Sequence, residues 1–196
     1  LSDEDVLNLG MTHELCTSKS DTFLRMTGAA FEDVLGRNII SLDSDGAQQT
    51  TIYIADTTAP EIVFSALNMT SRELSLSFSE PVNYSSFDVF ALSVQSTASG
   101  TPGQQSLTLS GGDVTFAIDG KSVVVGVRTE DFNTLALLEG LTVDLESTFL
   151  VHSVSLVNDV FGVASNAIES STALRVDVFV ADIASPSLIG FDFDID

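Results

Sequence analysis

The chain repeats itself, and that constrains it more than any other feature. Thr22-Phe23-Leu24 returns as Thr148-Phe149-Leu150, 126 positions later. At the same offset Asp33-Val34-x-Gly36 returns as Asp159-Val160-x-Gly162, and Ala55-Asp56 with Pro60 as Ala181-Asp182 with Pro186. Glu4-Asp5 with Leu9 and Leu15 matches Glu130-Asp131 with Leu135 and Leu141, and Ser44 and Ala47 match Ser170 and Ala173. Without a gap, 15 of the 70 aligned pairs are identical, and apolar character persists at others such as Ile52/Val178 and Ile54/Val180. A fixed period of this kind means stacked structural units. Residues 1–55 are expected to be the back part of one unit, 56–181 a whole unit, and 182–196 the first strand of the next. A partial unit leaves sheet edges open. The chain is therefore expected to be cut from a longer one, or else completed by strands from a neighbouring chain.

Within the whole unit the apolar period is two, the period of a strand. Leu74, Leu76 and Phe78 alternate with Ser75 and Ser77, and Val114, Phe116 and Ile118 alternate with Thr115 and Ala117. Val123, Val125 and Val127 follow beyond Asp119-Gly120, a pair that predicts a hairpin with a type I′ turn. Phe90, Leu92 and Val94 form another candidate strand, and Leu174, Val176, Val178 and Val180 alternate with Arg175 and Asp177. Short strands about ten residues apart, separated by Gly, Ser, Asp and Pro, predict an all-β sandwich. One segment per unit departs from this. Residues 130–138 have an acidic start and helical spacing at Phe132 and Leu135, which predicts a short helix with Asp131 as a candidate N-cap. Asp5, Val6 and Leu9 repeat it in the first unit.

Of the 196 residues, 28 are acidic and 7 basic, for a formal net charge of −21. Nucleic acids and anionic membranes need Lys and Arg, so neither is an expected partner. Cations are, and calcium, which takes oxygen ligands, comes first. Asp56, Glu80, Asp131 and Asp182 fall at expected junctions or loop ends, where carboxylates and carbonyls can converge, and are the candidate calcium ligands. Asp43-Ser44-Asp45-Gly46 resembles the start of a calcium loop without its later ligands. Asp192, Asp194 and Asp196 alternate with Phe191, Phe193 and Ile195, and would share one strand face.

The single cysteine, Cys16, excludes an internal disulfide. A small buried apolar residue is its first reading, and a thiol linking two chains in an oxidising compartment is the second. Asn68-Met69-Thr70 and Asn83-Tyr84-Ser85 are N-glycosylation triplets. His13 and His152 have no counterpart in the other unit, and no nucleophile elbow, phosphate loop, zinc spacing or dinucleotide fingerprint appears, so no enzyme activity is expected. No apolar run is long enough for a membrane helix, and Leu1-Ser2-Asp3-Glu4-Asp5 lacks a signal-peptide apolar region.

Asp56-Thr57-Thr58-Ala59-Pro60, the apolar Ile62-Val63-Phe64, then Leu74-Ser75-Leu76-Ser77-Phe78-Ser79-Glu80-Pro81-Val82 resemble the opening of bacterial immunoglobulin-like repeats in surface-layer proteins and large adhesins. Glu130-Asp131-Phe132-Asn133-x-Leu135 and Asp159-Val160-x-Gly162 are similar to a variant in very long secreted proteins of unicellular algae and protists, among them candidates for cell-surface coats and flagellar hairs (mastigonemes). That pattern usually has Asn after Asp-x-x-Gly, where Arg37 and Val163 stand here. The resemblance implies tandem immunoglobulin-like sandwiches strung end to end outside the cell, stiffened at their junctions and in some cases by calcium. The expected role is a structural segment of an extracellular filament, coat or hair, with neighbouring units, further copies and N-glycans as partners. An adhesin-type module gripping a ligand or glycan is the second reading, and an accessory domain of a larger secreted enzyme the third.

Overall fold

The computed structural model describes residues 1–12, 15–154, 156–185 and 187–195, and of Asp3 the backbone alone. His13, Pro186 and Asp196, singled out above, lie outside the described residues.

Among the described residues the protein is mostly β-sheet with two α-helices. The strands follow the period-two pattern because alternate side chains have somewhere dry to go. In β3 (Ile62–Asn68), β4 (Glu73–Phe78) and β8 (Ser122–Val127), Leu67, Leu74, Leu76, Phe78, Val123 and Val125 point into the core. The serines between them face the other side, where Ser77 and Ser122 hydroxyls meet at 3.1 Å. β7 (Gly112–Phe116) and β11 (Val178–Val180) complete a five-stranded sheet ordered β11-β3-β4-β8-β7. The second sheet has four strands, β5 (Leu92–Gln95), β6 (Ser106–Thr108), β9 (Phe149–His152) and β10 (Leu174–Arg175), ordered β10-β9-β5-β6. It turns Leu92, Val94 and Leu150 into the same core. Each such side chain contributes about 1.5–3 kcal/mol by leaving water. The sheets differ in pairing at one point. β11 runs parallel to β3, whereas β3/β4, β4/β8 and β7/β8 are antiparallel.

Several local expectations are corrected. The segment from Leu174 to Val180 is two strands in two sheets, not one. β10 pairs with β9 and β11 with β3. The crossing is pinned at Asp177, whose backbone N–H donates to Ser65 O at 2.9 Å and whose carboxylate accepts from Ser65 N at 2.8 Å. The hairpin is present, but its turn is not type I′. The strand stops at Phe116, Ile118 is exposed, and Ala117 N donates to Ser122 O at 2.8 Å across a four-residue loop. Only Gly120 takes a positive φ, of 70°. Asp119 keeps a negative one while its carboxylate accepts from Lys121 N at 2.9 Å, an aspartate turn that competes with the tighter one. Phe90 lies in a 3-10 turn, Val89–Ala91, and is exposed, because Asp88 caps that turn through Phe90 N.

The helices are α1 (Asp3–Met11) and α2 (Thr129–Leu137). Asp131 is the third helical residue of α2 and not its N-cap, which is Arg128. Leu135 seats α2 on the core. In α1, Ser2 and Asp5 form a reciprocal capping box that satisfies two of the orphan N–H groups.

Elements of residues 3–49 stand at a constant sequence distance from elements of 129–175. α1 precedes α2 by 126 positions, and so does the 3-10 turn Lys19–Asp21 precede Leu145–Ser147. The bridges Met26↔Leu42 and Glu32↔Asn38 fall 126 positions before His152↔Ile168 and Asn158↔Ala164. β1 (Phe23–Leu24) and β2 (Gln48–Gln49) pair in the register of β9 and β10. Cys16 and Thr142 share a positive φ, 57° and 52°. The environments differ: Phe23, Leu24, Phe31 and Val34 are exposed, where Phe149, Leu150, Val157 and Val160 are buried.

α1 rests against the end of the two-sheet body, at Gly120 and Val160. Leu7 is buried, its methyls lying 2.8 and 3.0 Å from where a Cβ on Gly120 would stand. Gly10 comes so close to Val160 that a Cβ would meet its Cβ and Cγ2 at 2.4 Å. Two glycines thus allow a backbone-level approach between the first segment and the domain.

Candidate metal centre

Three segments converge beside that contact. The first is the linker at Asp56, where Asp56 Oδ1 accepts from Thr58 N at 2.9 Å and Pro60 is buried. The linker is tied down at Glu61, whose N–H donates to Ser79 Oγ at 3.1 Å and whose carbonyl accepts from Ser79 N at 2.9 Å. This fixes the linker against the second segment, Ser79-Glu80-Pro81-Val82. Pro81 restricts Glu80 to extended backbone. Beyond it, Val82 N donates to Gly120 O at 2.9 Å and Asn83 N to Asn158 O at 2.9 Å, and Val82 bridges Asp159.

The third segment is the loop Asp159-Val160-Phe161-Gly162-Val163. Asp159 Oδ1 accepts from Phe161 N at 2.9 Å and Val163 N at 2.7 Å, and Gly162 closes the turn with φ 94°. The loop holds the Asp159 side chain inward, at 1% exposure. A carboxylate oxygen from each of Asp56, Glu80 and Asp159 lies within 4.8 Å of the other two. Asp159 Oδ2 and Glu80 Oε1 are buried with no hydrogen-bond partner among the described residues. An unpaired buried carboxylate oxygen costs more than an unpaired neutral one, so the arrangement calls for a proton or a cation.

The electrostatics agree. Burial first, then the Asp56 and Asp159 carboxylates, push Glu80 up to about 7, against the opposing pull of the Lys121 ammonium. Asp159 is raised by burial, with the N–H groups of Val163 and Phe161 opposing. A group raised in the folded state contributes stability that is full below its unfolded value and is lost as pH rises through its folded value. For Glu80 that window runs from 4.5 to about 7. His152, lowered by burial, acts oppositely in an overlapping range, so a difference measurement is needed. In chelator, the stability of the wild type relative to Glu80→Gln should fall between about pH 5 and about pH 8. Parallel urea-denaturation midpoints across that range would reject the assignment.

The other sequence candidates lie elsewhere. Asp131 is buried and taken by Ser110, whose N–H and hydroxyl donate to Asp131 Oδ2 at 2.7 and 3.1 Å. Asp182 is exposed in an aspartate turn with Ala184 N at 2.9 Å, the counterpart of the turn at Asp56. Asp43-Ser44-Asp45-Gly46 forms a 3-10 turn over Ser44–Gly46. Asn68 closes the β3–β4 connection by accepting from Thr70 N at 2.9 Å, Asn83 caps the turn Tyr84–Ser86, and both are half-buried. Cys16 is half-buried, and its carbonyl accepts from Tyr53 Oη at 2.9 Å. His152 is buried, with Nδ1 2.9 Å from Ser153 O. A groove of about 650 Å³ at the other end of the domain is walled by Arg72, Glu73, Asp113, Arg128 and Glu130, a mixed-charge lining rather than an aromatic one.

Of the sequence candidates, the structure brings Asp56 and Glu80 together, and it adds Asp159, which is not among them. The available signal is Asp159-x-x-Gly162, which in the sequence marks the repeat and the resemblance but not a ligand.

No protein-family profile matches the chain, and no curated protein matches it in sequence. In structure, 69% of the chain superposes on 15% of the S-layer protein rSbsC(31-844), with a TM-score of 0.37 and 18% identity. The chain spans a small part of that protein's length, and a likeness this low carries no argument about the present one. No helix among the described residues is long and apolar enough to cross a membrane.

Proposed function

We propose that the chain is a structural, non-enzymatic segment of an extracellular or cell-surface protein, built from immunoglobulin-like sandwich units with a period of 126 residues. The supporting observation is the constant spacing of matching elements: two helices, two 3-10 turns and two pairs of bridges recur in order at one offset. In this reading 1–55, 56–181 and 182–196 belong to three successive units. The contact of Leu7 and Gly10 with Gly120 and Val160 is then a junction between successive units. Load passes from unit to unit through such junctions, each unit keeping its own core. Asn68 and Asn83 are candidate glycan sites on the unit's outside, and Cys16 a candidate interchain thiol. The mixed-charge groove gives the ligand-gripping alternative little to stack a sugar on.

The test is imaging of the native source material with antibodies to this chain. Labelling along an extracellular filament or coat, with an axial repeat matching one unit, is the expected result. Label confined to the cell interior would overturn the proposal.

A further inference from the structure

We propose that Asp56, Glu80 and Asp159 hold a divalent cation of the calcium type, and that residue 163 decides whether this loop needs one.

The chain contains its own comparison. The loop Asp33-Val34-Leu35-Gly36-Arg37 is built like the Asp159 loop. Asp33 Oδ1 accepts from Leu35 N at 2.9 Å and Arg37 N at 3.0 Å, as Asp159 Oδ1 does from Phe161 and Val163. Asp33 N donates to Arg37 O at 2.9 Å, and Asp159 N to Val163 O at 2.8 Å. Gly36 has φ 75°, Gly162 φ 94°. The loops part at the second carboxylate oxygen. Asp33 Oδ2 is held by the Arg37 guanidinium, with Nε at 2.8 Å and Nη2 at 2.7 Å. At the matching place stands Val163, and Asp159 Oδ2 is buried with no hydrogen-bond partner among the described residues. One copy carries its counter-charge covalently. The other leaves a bare, buried oxygen on a carboxylate grouped within 4.8 Å of two others.

The geometry and chemistry fit a hard cation. Calcium binds carboxylate and carbonyl oxygens at about 2.3–2.6 Å, so two ligands on opposite sides of one ion stand roughly 5 Å apart. The mutual limit of 4.8 Å among the three carboxylates is compatible with a shared ion. Three carboxylates offset both charges of the ion, and the two orphaned oxygens, on Asp159 and Glu80, gain the partner they lack. Lys121, whose Nζ donates to Ser79 O at 3.3 Å, brings a cation beside this segment from the hairpin. A bound ion would tie the linker, the Glu80-Pro81 segment and the Asp159 loop together. This deepens the structural reading, because the linker is where one unit hands over to the next. The test reads ion binding by the chain itself, so its failure leaves the imaging result untouched.

The experiment is calorimetric titration of the EDTA-stripped chain with calcium chloride, beside thermal unfolding with calcium or EDTA. One ion per chain is expected, with Kd at or below about 1 mM. Tm should rise by roughly 5–10 °C at a hundredfold excess over Kd. Asp159→Asn and Glu80→Gln should each weaken binding at least about tenfold. Asp182→Asn, in the matching turn outside the cluster, should bind like the wild type. Val163→Arg should lose the calcium response and hold in EDTA a Tm at or above that of the stripped wild type. If that variant fails to fold, Asp159→Asn and Glu80→Gln decide the site alone. Saturable binding absent up to about 10 mM calcium, or undiminished in Asp159→Asn, overturns the proposal.

Discussion

Leu150→Ala should destabilise the domain by about 3–5 kcal/mol, while Leu24→Ala, at the matching position 126 residues earlier, should cost less than about 1 kcal/mol. The two leucines have the same neighbours in sequence, Thr and Phe before each, and lie in strands of matching register. Local propensity therefore cannot separate them. What separates them is what covers them. Leu150 is 0% exposed, set between Val94 of β5 and Leu174 of β10 and packed in the core between the sheets. Removing its isobutyl group deletes the transfer term and leaves a cavity that two flanking sheets cannot close. Leu24 is 54% exposed on a two-stranded pair, so alanine there gives up little. Guanidinium denaturation of both variants is the measurement. Equal losses would show that the first segment has a core of its own in solution, contrary to the burial seen here.

The contrast also marks what a sequence can and cannot carry. Alternation at Leu74-Leu76-Phe78 and at Val123-Val125-Val127 was legible because each pattern is satisfied by one face of one sheet. The run from Leu174 to Val180 alternates just as cleanly, yet it changes sheets at Asp177. The two hydrogen bonds with Ser65 that impose the crossing join residues far apart in the chain. Type I′ geometry was the wrong inference at Asp119-Gly120, since the aspartate side chain offered its own backbone a competing turn. Within the carboxylate cluster, the linker Asp56 and the pre-proline Glu80 were recognisable by position. Asp131 looked equivalent, and only the packing of β6 onto α2 reveals that Ser110 occupies its carboxylate. Asp159 was hidden for the opposite reason. Its counterpart 126 positions earlier, Asp33, is neutralised within its own loop by Arg37, so the shared motif reads as structural there, whereas Asp159 Oδ2 has no hydrogen-bond partner among the described residues.

Gly10→Ala tests whether the two segments are held together through this same loop, and two effects of opposite sign meet there. Inside a helix, alanine is favoured over glycine by about 0.5–1 kcal/mol, and the matching residue of α2 is Ala136. Against this, the new Cβ would stand 2.4 Å from Val160 Cβ and Cγ2 and 2.9 Å from Val160 O. The carbonyl belongs to the backbone of a loop fixed by Asp159, so it cannot step aside as a side-chain tip would. Overpacking of this kind costs typically 1–3 kcal/mol, which exceeds the propensity gain. The helix should therefore lift from the domain while keeping its own hydrogen bonds. Hydrogen exchange should show lost protection at Phe161 and Val163, whose N–H groups depend on the Asp159 loop, and unchanged protection in β4 and β8. Because the loop carries Asp159, the calcium affinity proposed above should drop in the same variant although none of the three carboxylates has been altered. If exchange slows in α1 and the Asp159 loop is undisturbed, the propensity term has won, and the close approach of Gly10 to Val160 is not what joins the segments.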